Sequence, residues 1–106
     1  MNEVVKSVNG VPIRLNAERW MHITMGHPEV ADYYFDICQT LEIPDAVYLG
    51  SQGEFLAARR LPNSNGKNMI VVYREVSEED GFVITAYTSN KVHELQKRTV
   101  IWQRQN

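Results

Sequence analysis

The acid/base equipment of this chain is concentrated in Trp20-Met21-His22-Ile23-Thr24-Met25-Gly26-His27-Pro28-Glu29, which holds two of its three histidines. Imidazole is the side chain whose ordinary pKa lies near neutrality, so His22 and His27 are suited to exchanging protons with a substrate. The same spacing allows a packing role, because Trp20, Ile23 and His27 fall near one stripe of a helix. Arg59 and Arg60 are adjacent in a strand-like run and face opposite ways, so only one of them can enter a given cleft. A guanidinium donates two parallel hydrogen bonds to a phosphate, which suits it to negative charge growing on phosphoryl oxygens. Thr85, Tyr87 and Ser89 alternate along another run and put hydroxyls on one face, although an ordinary half-exposed sheet has the same look.

Other chemistries fit less well. His22 and His27 are five residues apart, about 140° around a continuous helix, which is not a close zinc-ligand spacing. A metal-dependent hydrolase built on His22, His27 and Glu29 is a third option behind the readings given below. Gly50-Ser51-Gln52-Gly53 has neither the lysine nor the following helix of a phosphate-cradling loop. Cys38 sits on an apolar helical stripe, where burial raises a thiol pKa and favours packing over nucleophilic work.

The elements that must position these residues can be read from the turn and cap signals. Asn9-Gly10 between two short apolar runs predicts a hairpin, with Pro12 placing its second arm on an edge. Asn16 is a natural N-cap for a helix from Ala17, with Glu18 in its acidic first turn and Gly26 as its stop. A second helix begins at Pro28 or Glu29, carries Val30, Tyr33, Tyr34, Ile37, Cys38 and Leu41 at helical spacing, and ends by Pro44. Short runs at 46–49, 54–61, 68–76 and 81–88 read as strands, and their short connections predict a four-stranded antiparallel meander with both helices on one face. The fold class is therefore α+β. Strict alternation sends Phe82, Ile84 and Ala86 to one face and Val83, Thr85, Tyr87 and Ser89 to the other. The segment 92–106 reads as a short helix or a docked tail.

A chain of 106 residues suits a single domain spanning 1–106. Its one cysteine points to a reducing, cytoplasmic setting. The apolar run 69–73 is far below the ~18 residues of a membrane span, and the acidic start lacks a signal-peptide pattern. A net charge of −2 is not the footprint of a strong nucleic-acid binder. The distribution is uneven: residues 1–53 hold three Lys/Arg against seven Asp/Glu, net −4, and residues 54–106 hold eight against six, net +2. From Tyr87 onward Lys91, Lys97, Arg98 and Arg104 face only Glu94.

Five stretches appear in a telling order: Arg14-Leu15-Asn16-Ala17-Glu18-Arg19-Trp20-Met21-His22-Ile23, Gly26-His27-Pro28-Glu29, Thr40-Leu41-Glu42-Ile43-Pro44-Asp45, Met69 to Tyr73, and Phe82-Val83-Ile84-Thr85-Ala86-Tyr87-Thr88. Over roughly residues 12–91 this order resembles the phage-associated nuclease-like family grouped with barnase, EndoU, colicin and RelE ribonucleases. The resemblance implies helices followed by a four-stranded antiparallel sheet. In active members it implies metal-independent RNA cleavage without a cofactor, often as a toxin module restrained by an antitoxin or immunity protein. Residue by residue it points to His22, His27, Thr85, Tyr87 and one of Arg59 and Arg60 as catalytic. Lys67, Ser89 and Lys91 are expected to bind substrate. Gly26 departs from the basic residue often found before the His-Pro-Glu step, and the acidic first half is unfavourable to RNA.

On this reading a histidine takes the proton of a ribose 2′-hydroxyl, and Arg60 or Arg59 holds the charge that develops at phosphorus. The second histidine or Tyr87 protonates the leaving oxygen while Thr85 orients the phosphate. His22 is the favoured base, because His27 lies nearer the Trp20 and Ile23 stripe. The alternative is a noncatalytic module with the same fold that binds RNA or a protein, with Tyr33, Tyr34, Tyr48 and Trp102 as anchors.

Overall fold

The computed structural model of this chain describes residues 3–105. β1 (Glu3–Lys6) and β2 (Pro12–Leu15) form the expected hairpin, with Glu3 opposite Leu15 and Lys6 opposite Pro12. Gly10 in its turn has φ +79°, a conformation that glycine adopts without steric cost. Asn16 caps α1 (Ala17–Gly26), its side-chain oxygen accepting the Arg19 N–H at 2.8 Å. The second helical stretch is broken into a 3₁₀ turn, Pro28–Asp32, and α2 (Tyr34–Glu42). Tyr33, at φ −117°, forms the joint, and the break lets Val30 and Ile37 enter the same core.

β3 (Ala46–Leu49), β4 (Phe55–Arg60), β5 (Asn68–Ser77) and β6 (Asp80–Ser89) make the expected antiparallel meander. The sheet does not stop at four strands. Its order is β1-β2-β6-β5-β4-β3-β7, seven strands in all, where β7 (Val100–Gln103) follows a 3₁₀ helix, Val92–Lys97. The hairpin joins through β2, which lies parallel to β6 with Ile13 opposite Gly81 and Arg14 opposite Phe82. The sheet is therefore mixed rather than antiparallel, and β2 is an interior strand. Pro12 is tolerated there because it is the first residue of the strand, where a missing N–H breaks no internal ladder bond. The segment after residue 92, expected as a helix or tail, supplies the far edge strand by pairing antiparallel with β3.

Both helices cover one face of the sheet, where Ile23, Ile37 and Leu41 meet Val71, Tyr73 and Val83. The opposite face carries a smaller core of Tyr48, Leu56, Ala58 and Ile70 under Leu95 of the 3₁₀ helix. One irregularity decides which side chains reach that second face. Val72 pairs with Thr85 but Tyr73 pairs with Val83, so Ile84 is an extra residue in β6 and the ladder bulges. Strict alternation across residues 82–86 is thereby overturned. Val83 and Ala86 both enter the main core, and Phe82 joins Thr85, Tyr87 and Ser89 on the second face.

Gly81 lies between β2 and β5, opposite Ile13 on one and Glu75 on the other. A Cβ there would lie 2.6 Å from the Arg74 carbonyl oxygen and 2.6 Å from Ile13 Cδ1, with backbone on one side and a buried side chain on the other. Gly81→Ala is expected to cost about 1–3 kcal/mol in urea unfolding, the usual penalty of overpacking. At Gly50 the nearest atoms to an added Cβ belong to the Glu54 side chain, which would have to shift and release the Gln52 N–H that its Oε1 accepts at 2.8 Å. Gly50→Ala is therefore expected to cost about 0.5–1.5 kcal/mol, the worth of one such hydrogen bond.

Burial also sets an alkaline limit. Burial, reinforced by Glu3 and Glu42, pushes the Cys38 thiol up from 9.0 to about 11. Burial, then Cys38 and Glu3, pushes Tyr34 up from 10.0 to about 12, and burial followed by Glu75 raises Tyr73 further. These groups stay protonated in the folded chain at a pH where the unfolded chain has released its protons. The unfolded state then binds fewer protons, and stability falls as pH rises. The urea midpoint is expected to decline between about pH 9 and pH 12, and these groups contribute no slope well below that window. A midpoint that stays level across the window would contradict this origin.

Candidate functional site

β2 pairs only with the first residues of β6, and α1 with the following 3₁₀ turn packs beside the rest of that strand. This placement sets both histidines along β6. His22 lines a cleft with Phe82 and Val83 at the start of the strand. His27, the residue just past α1, lies against Tyr87 further along, with ring centroids 5.7 Å apart and planes at 34°. His27 Nδ1 is 3.6 Å from Glu29 Oε2. At that distance the carboxylate lies on the Nδ1 side of the ring but outside hydrogen-bond reach.

The strip of β6 facing these groups carries Phe82, Thr85, Tyr87 and Ser89, all half-buried. Burial raises the Tyr87 pKa above its ordinary value, against the opposing pull of the Arg98 charge. Arg98 closes the 3₁₀ helix that crosses this face and is held there by buried Leu95, whose carbonyl accepts the Arg98 N–H at 2.9 Å. Its charge also reaches Glu54, whose carboxyl is held below the usual range first by backbone N–H donors, including Gln52, and then by Arg74 and Arg98. Arg74, opposite Phe82 on β5, shares the face and donates from Nη2 to the Gln52 carbonyl at 3.1 Å.

The two adjacent arginines separate as alternation requires. Arg59 lies on the helix side, where its Nη1 donates to the Ile43 carbonyl at 2.6 Å just past α2. Arg60 is exposed and lies in a cross-strand row with Asn68 and Ser89, two strands and therefore roughly 10 Å from Ser89. Lys67, in the β4–β5 turn, and Lys91, beyond β6, flank the same end of the sheet, and both are exposed. The Lys91 N–H donates to Ser89 Oγ at 2.9 Å. One face thus gathers Thr85, Tyr87, Ser89 and Arg60, bordered by His22 and His27; Arg59 lies on the other. Glu29 beside His27 enters the sequence-based reading only in the metal-dependent option, and Arg74 and Arg98 on the face have no place in the sequence-based site. Arg98 does belong to the basic cluster after Tyr87, and Arg74 keeps the alternation of Ile70 and Val72.

The cleft around His22 has a volume of about 320 Å³ and is lined by Arg14, Asn16, Glu18, Arg19, His22, Phe82 and Val83. Arg14 is fixed by a fork to Asp80, Nε to Oδ1 at 2.8 Å and Nη2 to Oδ2 at 3.2 Å. The pairing raises the Arg14 pKa and lowers that of Asp80.

Among the described residues no three His, Cys, Asp or Glu side chains converge as a metal-binding group, and His22 and Glu29 do not form one with His27. Tyr48 is buried in the second core, and Tyr33, Tyr34 and Trp102 pack against the main one, with Tyr34 edge-on to Trp20 at 4.9 Å. These four rings hold the fold together. No helix of the described residues is long and apolar enough to cross a membrane. No family model, curated protein or solved structure matches the chain.

Proposed function

We propose that this chain is a metal-independent endoribonuclease of the toxin-like kind that the barnase, EndoU, colicin and RelE resemblance implies. The observation that carries this reading is the contact of the His27 imidazole with Tyr87 on a hydroxyl-bearing strip of β6. In the proposed reaction His27 Nε2 accepts the proton of a ribose 2′-hydroxyl, and the 2′-oxygen attacks the adjacent phosphorus. The bond from phosphorus to the 5′-oxygen breaks, leaving a 2′,3′-cyclic phosphate and a 5′-hydroxyl. Tyr87, protonated at neutral pH as an ordinary phenol is, donates to the leaving oxygen, and Thr85 orients the phosphate. Arg98 supplies positive charge for the phosphoryl oxygens, with Arg60, Lys67, Ser89 and Lys91 tracking the chain beyond. Glu29 adds negative charge on the Nδ1 side of His27.

This assignment makes His27 the base in preference to His22. An antitoxin or immunity protein, acting in the cytoplasm, would block the enzyme by covering the same strip. The test is incubation of a mixed RNA pool with the purified protein and excess chelator. Cleavage is expected. RNA that stays intact while a positive control cuts contradicts the proposal, and RNA that is bound but uncut identifies the noncatalytic module instead.

A further inference from the structure

Cleavage at Tyr87 leaves the cleft at the other end of the β6 strip without a role, and its chemistry is unlike that of a phosphate site. Arg14 has its charge met by the Asp80 fork, and the Asn16 side chain is occupied in capping α1. What faces the cleft in addition is a carboxylate, Glu18, a guanidinium, Arg19, an imidazole, His22, and the half-buried ring of Phe82. Positive and negative groups are balanced there, so a bare anion gains little. A neutral planar group with hydrogen-bond donors and acceptors on its rim gains from each of them, since Glu18 accepts, Arg19 donates in a fork and Phe82 offers a surface for stacking. The volume of about 320 Å³ is at the lower end of small-ligand pockets, which suits a single base.

We propose that this cleft is a nucleobase subsite that seats the base of a nucleotide flanking the scissile bond. The proposal rests on RNA being the ligand of the strip. Phe82 and Tyr87 are separated by roughly 15 Å of β6, too far for the reacting nucleotide and suitable for a neighbour. The bulge at Ile84 is what makes the arrangement work, because it turns Phe82 onto the face that holds Thr85 and Tyr87.

The experiment is a titration of the isotope-labelled His27→Ala protein, followed by amide NMR shifts, with each of the four ribonucleoside 5′-monophosphates and with ribose 5-phosphate. At least one nucleotide is expected to shift amides of residues 16–22 and 82–83, and ribose 5-phosphate is not. Phe82→Leu, which keeps an apolar side chain and removes the ring, is expected to weaken that binding by about 5–150-fold with the spectrum otherwise folded. Arg19→Gln, an exposed change that spares the core, is expected to weaken it as well. Equal shifts with ribose 5-phosphate, shifts confined to other regions, or undiminished binding in both variants would overturn the proposal. Because His27→Ala removes the proposed base, the result stands apart from cleavage: a wild-type protein that spares RNA while its cleft binds a nucleotide contradicts the nuclease and leaves the subsite.

Discussion

His27→Ala is expected to lower RNA cleavage by about 10²–10⁴-fold, the range that one positioned proton-transfer group contributes. The loss should fall on kcat, with unfolding little changed, since the side chain is on the rim and the backbone N–H that bonds the Ile23 carbonyl at 2.7 Å is kept. His22→Ala should act differently. Its imidazole lines the cleft rather than touching Tyr87, so the expected effect is a raised KM with kcat largely retained. Initial rates on a defined oligoribonucleotide distinguish the two, and a kcat loss at His22 with none at His27 would reverse the assignment.

The largest effect on stability is expected at Tyr73, which is fully buried and packs edge-on against Phe55 at 5.6 Å. Tyr73→Ala should cost about 3–5 kcal/mol, the penalty for emptying an aromatic-sized space at the centre of the main core. Tyr73→Phe should be neutral or stabilising, because the hydroxyl is buried with no hydrogen-bond partner among the described residues and its removal relieves a desolvated group. The same change should flatten part of the alkaline decline, since one raised phenol is gone. Urea unfolding of the two variants at neutral and alkaline pH measures both effects. A loss above about 1 kcal/mol for Tyr73→Phe would mean that the hydroxyl has a partner, such as a buried water.

What the sequence makes legible is what local chemistry determines. The Asn9-Gly10 turn, the Asn16 cap, the stop at Gly26 and the four central strands each depend on a few neighbouring residues, and all appear within a residue or two of their expected bounds. Pairings between distant segments carry no such mark. Nothing near Ile13 announces Gly81 as its parallel partner, and nothing near Ile84 announces a bulge. The bulge in turn decides the company of Phe82. The site divides along the same line. The residue types in the His-Pro-Glu step and in the Thr85, Tyr87 and Ser89 row are visible in the chain. Ranking His27 as a stripe residue assumes that the helix continues through it, whereas α1 ends at Gly26 and His27, at φ −136° and ψ 75°, turns off that stripe towards Tyr87. Arg74 and Arg98 join the face only through β5 pairing and the path of the 3₁₀ helix, which no local pattern specifies.

The account depends on a 2′-hydroxyl being the nucleophile at the His27 and Tyr87 contact. The direct measurement is cleavage, in excess chelator, of a DNA oligonucleotide that contains a single ribonucleotide. The expected product is one cut, directly 3′ to the ribonucleotide, with a 2′,3′-cyclic phosphate on the upstream fragment and no such product from the His27→Ala protein. An intact oligonucleotide, or cuts at deoxyribonucleotides, would contradict it.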